Sequence, residues 1–150
     1  MKAVIQRVSE AAVRVDGELT GSVGKGYMIL LGVMDGDTEA DADILAAKTA
    51  KLRIFCDEND KMNLSVLDID GEILCVSQFT LCADVKKGNR PSFTPSAAPD
   101  RANELYEYFM KKLLDEGVRK VEHGSFGADM KVSLINDGPV TIMYDSKTWI

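Results

Sequence analysis

The chain has 150 residues, 45% hydrophobic and 28% charged, with 12 glycines and 4 prolines. Those proportions exclude collagen-like, low-complexity and disordered classes, and one domain of this length buries about 70% of its unfolded surface without a disulfide or metal staple. The net charge of −6 argues against a general DNA coat, so any nucleic-acid contact rests on a local basic patch. No apolar run approaches the ~20 residues of a membrane span. Met1 leads directly into a strand-like segment with no apolar leader, so the expected location is cytoplasmic, away from membranes.

Residues 2–15 are rich in β-branched side chains and read as a strand bent near 10–12. Asp16-Gly17 follows, a type I′ hairpin signal, and the return strand is 18–23. The apolar run 27–34 is too short for a capped buried helix and reads as a central strand covered on both faces. Thr38 with Asp41 resembles a capping box and opens a helix over 39–53 with an apolar stripe at Ile44, Leu45 and Leu52 and a basic flank at Lys48 and Lys51. A polar loop at 57–63 precedes two strands, 64–69 and 72–82, joined by Asp70-Gly71.

The stretch 84–99 holds three of the four prolines and no periodicity, which predicts a long ordered loop of functional type. Asp100 caps a second helix reaching Leu114 or Glu116, with Leu105, Phe109 and Leu113 on one face and Gly117 as its stop. Strands are expected at 118–123, 130–136 and 139–145. With no repeat and no linker, this order predicts a single α+β domain, 1–150, with two main helices and a mostly antiparallel sheet.

Three cysteines, Cys56, Cys75 and Cys82, lie in apolar surroundings without C-x-x-C spacing and read as reduced core thiols. His123 is the one histidine, which excludes a multi-histidine metal site within one chain; it is either a catalytic base or a satisfied loop residue. No nucleophile elbow, P-loop, dinucleotide fingerprint or H-E-x-x-H motif is present. Two segments stand apart from plain scaffold. Ser77-Gln78-Phe79-Thr80-Leu81 closes the strong strand, and alternation puts Ser77, Phe79 and Leu81 on one face; its polar groups either hold a ligand or form the wet side of an edge strand. Gly138-Pro139 interrupts a strand-like stretch, where proline is expected only at starts, edges or bulges.

SQFTL at 77–81 together with NDGPVT at 136–141 closely resembles the D-aminoacyl-tRNA deacylase family. The opening MKAVIQRVSEAAVRVDGE, the YMILLGV run, the NRPSFTPSAAP loop and the FGADMKVSLINDGPVT ending extend that resemblance over essentially the whole chain. It implies a barrel-like α+β fold that pairs into a homodimer with the active site at the subunit interface, and hydrolysis of the ester between a D-amino acid and the tRNA 3′ end without metal or cofactor. Ser77, Gln78, Phe79 and Thr80 would line the pocket for the terminal aminoacyl-adenosine, with a backbone N–H near Phe79 as oxyanion donor. A cis Gly138-Pro139 would reach into the partner's pocket and reject L-amino acids at Cβ; glycyl-tRNA, lacking a Cβ, would also be cleaved.

Thr80 is the one hydroxyl in the motif that could attack, but no base is evident to activate it, so a water assisted by the tRNA 2′-OH is the expected nucleophile. By the same resemblance Phe126 and Met130 line the pocket, although both also read as core residues. Lys86, Lys87 and Arg90, just after the motif, are either solvated loop cations or contacts for tRNA phosphates. The competing reading is a non-catalytic nucleic-acid-binding dimer.

Overall fold

The computed structural model describes residues 1–149. Strand β1 (Lys2–Val15) turns at Asp16-Gly17, with φ of 51° and 81°, into β2 (Glu18–Val23), as a type I′ turn requires. Strand β3 (Gly26–Gly32) pairs antiparallel with the first half of β1, while β2 pairs with its second half. Helix α1 (Glu39–Lys51) follows, then a small hairpin of β4 (Phe55–Cys56) and β5 (Met62–Leu64) at the two ends of the expected polar loop. Strand β6 (Glu72–Ser77) runs parallel to β3, helix α2 spans Pro99–Asp115, and β7 (Lys120–His123) runs parallel to β6. The last strand, β8 (Lys131–Asp145), pairs antiparallel along the other edge of β1.

The sheet is nearly a barrel. Its path is β2-β1-β3-β6-β7 with β8 beside β1, and β2 approaches β7 so closely that a Cβ on Gly21 would lie 2.5 Å from the His123 carbonyl oxygen. Two helices cover the large core, in which Tyr27, Ile29, Leu45, Phe55, Leu105 and Phe109 are fully enclosed. The apolar run 27–34 is buried because β1 and β6 flank it in the sheet, while α1 and α2 supply core partners such as Leu45 and Leu105.

The capping box holds: the Asp41 carboxylate accepts the Thr38 N–H at 2.9 Å. Asp41 lies 2% exposed and also accepts from Ser146 Oγ, and Lys147 Nζ stands 3.1 Å away. The buried α-ammonium of Met1 meets Asp37 at 2.7 Å and donates to Ser146 Oγ at 2.8 Å, so α1, the chain start and the residues after β8 share one polar cluster.

Five local expectations are corrected. Residues 64–69 are not a strand but consecutive turns, because Ser65 and Asp68 satisfy each other: the Ser65 N–H donates to Asp68 Oδ2 at 2.8 Å and the Asp68 N–H to Ser65 Oγ at 3.2 Å. Strand β6 stops at Ser77, and Phe79–Cys82 form a 3-10 turn, so the inferred alternation of Ser77, Phe79 and Leu81 does not apply. Helix α2 begins at Pro99 with Ala98 at the cap position; Asp100 sits in its first turn, where its charge meets the helix dipole. The two expected strands 130–136 and 139–145 are one strand carrying a large bulge. Cys56 is exposed at the rim, whereas Cys75 and Cys82 are buried thiols.

Candidate active site

Where β6 ends, the Gln78 N–H makes one more ladder bond, to the Leu31 carbonyl at 2.8 Å. The chain then coils, with Leu81 N–H donating to the Gln78 carbonyl and Ala83 N–H to the Thr80 carbonyl. Gly32 permits this crossing, since a Cβ there would sit 3.0 Å from Leu81 Cβ and 3.1 Å from the Gln78 carbonyl oxygen. The amides of Phe79 and Thr80 are the first of the 3-10 turn, where no earlier carbonyl of the turn can accept them.

A cavity of about 650 Å³ opens beside this turn. Ser77, Gln78, Phe79, Phe126 and Met130 line it, which brings five of the sequence-derived residues together. Phe126 and Met130 are each half-buried against the core and also face the cavity. The Thr80 side chain does not line it; its hydroxyl accepts a hydrogen bond from the Gln78 amide.

Residues missed in the sequence complete the wall. Phe93, in the proline-rich loop, meets Phe79 edge-on at 5.0 Å between ring centroids, and the start of α2 contributes Ala98, Pro99 and Ala102. An aromatic within an otherwise small and polar loop was the available signal for Phe93.

The cavity holds no strong base. Asp129, its one carboxylate, is exposed and stands 3.3 Å from Lys131 Nζ. Tyr106, whose ring lies 6.2 Å from that of Phe126, donates to the Cys75 carbonyl at 2.7 Å, and burial pushes its hydroxyl pKa up, so it stays protonated. His123 ends β7 outside the lining, with Nδ1 2.6 Å from the Gly124 carbonyl oxygen. Among the described residues no group of three His, Cys, Asp or Glu side chains is placed to hold a metal.

Gly138 and Pro139 do not line this cavity. The pairing of β8 with β1 jumps from Asn136 opposite Val8 to Thr141 opposite Gln6, which leaves residues 137–140 bulged outward against Arg7. The Gly138–Pro139 peptide is cis, and both residues are exposed. Arg7, another residue that the sequence reading missed, holds the bulge: Nε donates to the Asp137 carbonyl at 2.8 Å and Nη1 to the Ile54 carbonyl at 2.6 Å. Asn136 Oδ1 accepts the Val140 N–H at 3.0 Å from within the bulge. Lys86, Lys87 and Arg90 are exposed in the loop closed by mutual backbone bonds between Asp84 and Ser92.

The family described as D-Tyr-tRNA(Tyr) deacylase is matched over residues 4–145. The chain belongs to that family. A Flavobacterium johnsoniae protein named D-aminoacyl-tRNA deacylase is 56% identical over 147 residues, covering 98% of each chain. A Ruegeria pomeroyi protein of the same name is 59% identical over 145 residues, covering 97% of this chain and 99% of its own. Among solved structures, a protein described as c-Myc DNA Unwinding Element Binding Protein superposes with a TM-score of 0.91 at 42% identity, covering 97% of this chain and 98% of that one. Another, described as a probable eukaryotic D-amino acid tRNA deacylase, shares the fold with a TM-score of 0.80 at 20% identity, over 95% and 97% of the two chains.

Proposed function

We propose that this protein hydrolyses the ester joining a D-amino acid to the 3′ end of tRNA. The observation that carries this reading is the near-complete match, at 56% identity, to bacterial proteins named for that activity. The cavity suits the task. An aminoacyl ester is already activated, so placement and oxyanion stabilisation can replace a strong nucleophile. Ser77 and Gln78 offer hydrogen bonds, Phe79 and Phe93 offer apolar faces for a base, and the Phe79 amide, at the start of the 3-10 turn, offers a donor to the developing oxyanion. With Thr80 held by Gln78 and the one lining carboxylate, Asp129, exposed and beside Lys131, a water assisted by the substrate's own 2′-OH makes the attack.

The working form is a homodimer with each site at the subunit interface. Three features support it: Gly138 and Pro139 are exposed yet absent from their own chain's cavity, β8 pairs with β1 alone, and β8 exposes Ile135 and Met143, the latter to 77%. Main chain projected into the partner's cavity blocks any Cβ of L configuration while ignoring the D side chain, and glycine passes for want of a Cβ. Lys86, Lys87 and Arg90 meet phosphates near the acceptor end. The enzyme acts in the cytoplasm.

The test is release of D-tyrosine from D-tyrosyl-tRNA by the purified protein in EDTA, with L-tyrosyl-tRNA and glycyl-tRNA in parallel. Cleavage of the D and glycyl esters with the L ester intact is expected. A second reading, a non-catalytic nucleic-acid-binding dimer, is favoured by the likeness, at a TM-score of 0.91, to a protein described as binding a DNA unwinding element; tRNA binding without release in this assay would establish it instead.

A further inference from the structure

Helix α1 divides its charges unequally. All three carboxylates of its first half are engaged: Glu39 with Arg101, Asp41 with Ser146 and Lys147, and Asp43 with Tyr108 and Lys112. The cations that follow, Lys48, Lys51 and Arg53, are exposed, and among the described residues none of them has a carboxylate partner within salt-bridge distance. They border a groove of about 620 Å³ whose other lining residues are Ile44, Ala47, Leu52, Tyr144 and Trp149. Those two rings meet edge-on at 5.0 Å, and Lys48 Nζ lies 5.8 Å from the centroid of Trp149. A protein of net charge −6 thus keeps here a local surface of cations without carboxylate partners among the described residues, beside the Tyr144–Trp149 pair.

The groove also adjoins the projecting bulge. A single guanidinium, that of Arg7, bonds the carbonyls of both Ile54 and Asp137, so Arg53 and Gly138 are each one residue from a shared anchor. We propose that this groove binds backbone phosphates of the tRNA body, with the tRNA's acceptor end in the partner subunit's cavity. The inference rests on the proposed deacylase reading and names a second contact for the same substrate. If the bulge of one subunit enters the other's cavity, the groove flanks the mouth of that cavity. A strand leaving the mouth then crosses Arg53, Lys51 and Lys48 in turn, and Trp149 presents a face on which a base or ribose packs.

The experiment measures binding of uncharged tRNA to the full-length protein by fluorescence anisotropy across a salt series. It compares wild type with the double variant Lys51→Ala/Arg53→Ala and with Trp149→Ala, alongside deacylation of a short D-aminoacyl oligonucleotide ending in CCA. The double variant should weaken tRNA binding about tenfold and reduce the log–log salt slope by about 2, one per lost phosphate contact, while cleaving the short substrate at the wild-type rate. Trp149→Ala should weaken tRNA binding with the slope retained. Unchanged affinity and slope in the double variant would overturn the proposal, as would an equal loss on the short substrate, which would assign these residues to the reacting end. Failure of the wild type to cleave either substrate would instead overturn the deacylase reading, and the binding comparison would still decide for or against the groove.

Discussion

Arg7 and Asp137 are joined by a charge-assisted hydrogen bond of 2.8 Å from Nε to the main-chain carbonyl, and the same guanidinium donates to Ile54 at 2.6 Å. One side chain of β1 therefore holds the Gly138-Pro139 bulge at a set height above the sheet. The guanidinium bonds the two carbonyls from two separate nitrogens, whereas a lysine offers all its donors from one.

Arg7→Lys should consequently keep the fold, lose one of the two bonds, and lower the rate of D-aminoacyl-tRNA cleavage. Arg7→Ala should cost about 1.5–3 kcal/mol of stability per lost charged bond and lower the rate further. Urea unfolding and deacylation rates measured on both variants check this. Equal activity in wild type and Arg7→Ala would remove Arg7 from the positioning of the bulge.

The proposed cross-subunit arrangement predicts complementation. A Ser77→Arg chain has a blocked cavity and an intact bulge, and a Gly138→Val chain has the reverse. A hybrid dimer contains one site built from the two intact halves. Mixing two inactive variants under subunit exchange should thus recover activity, up to half the wild-type value per hybrid. No recovery, with hybrids demonstrated by mass spectrometry, would place both halves in one chain.

Thr80→Ala should retain activity within about tenfold of wild type, because its hydroxyl lies off the cavity wall and is bonded to Gln78. Removal of a true nucleophile costs on the order of 10⁶ in kcat, so single-turnover kinetics separate the alternatives clearly. Gln78→Ala should raise KM more than it lowers kcat if the side chain only places the substrate.

Acid stability should report on Asp41. Burial alone would raise its pKa, but the hydrogen bonds from Ser146, the Thr38 amide and Lys147 outweigh burial and lower it to about 2. A carboxyl whose pKa is depressed on folding adds stability that is fully present above its unfolded value, ~3.9, and is lost as pH falls towards the folded value. The stabilisation is on the order of 2 kcal/mol. Asp41→Asn should therefore lower the urea midpoint at pH 7 and flatten its decline between about pH 4 and pH 2, as midpoints measured across that range would reveal.

Gly26 begins β3 with φ of +157°, and a Cβ there would overlap the Glu72 carbonyl oxygen on β6. Gly26→Ala should abolish soluble folded protein or cost more than ~4 kcal/mol, the range reached when backbone cannot relax. Gly36, with φ of +86° and open space around it, should tolerate alanine at the smaller cost of its backbone conformation alone. Thermal melts of the two variants test the contrast.

The features legible in the sequence were ones set by short-range chemistry. Asp16-Gly17 adopts positive φ, Thr38 and Asp41 close the start of α1, and Leu105, Phe109 and Leu113 fall on one buried face of α2. Turn dihedrals, caps and the 3.6-residue period depend on neighbours within a few positions, so they can be read in one dimension. The family resemblance likewise named Ser77, Gln78, Phe79, Phe126 and Met130, and these converge on one cavity. The path of the backbone at both motifs was set by long-range packing. Ser77 ends β6 because Gly32 of the neighbouring strand leaves room for a 3-10 turn to cross it. Residues 137–140 bulge because the two halves of β8 keep register with β1 on either side of Arg7. Phe93 and Arg7 were missed for the same reason: each acquires its role from a partner far along the chain, Phe79 in one case and Asp137 in the other. Strand register and loop placement are set by what lies opposite, and no local propensity records that.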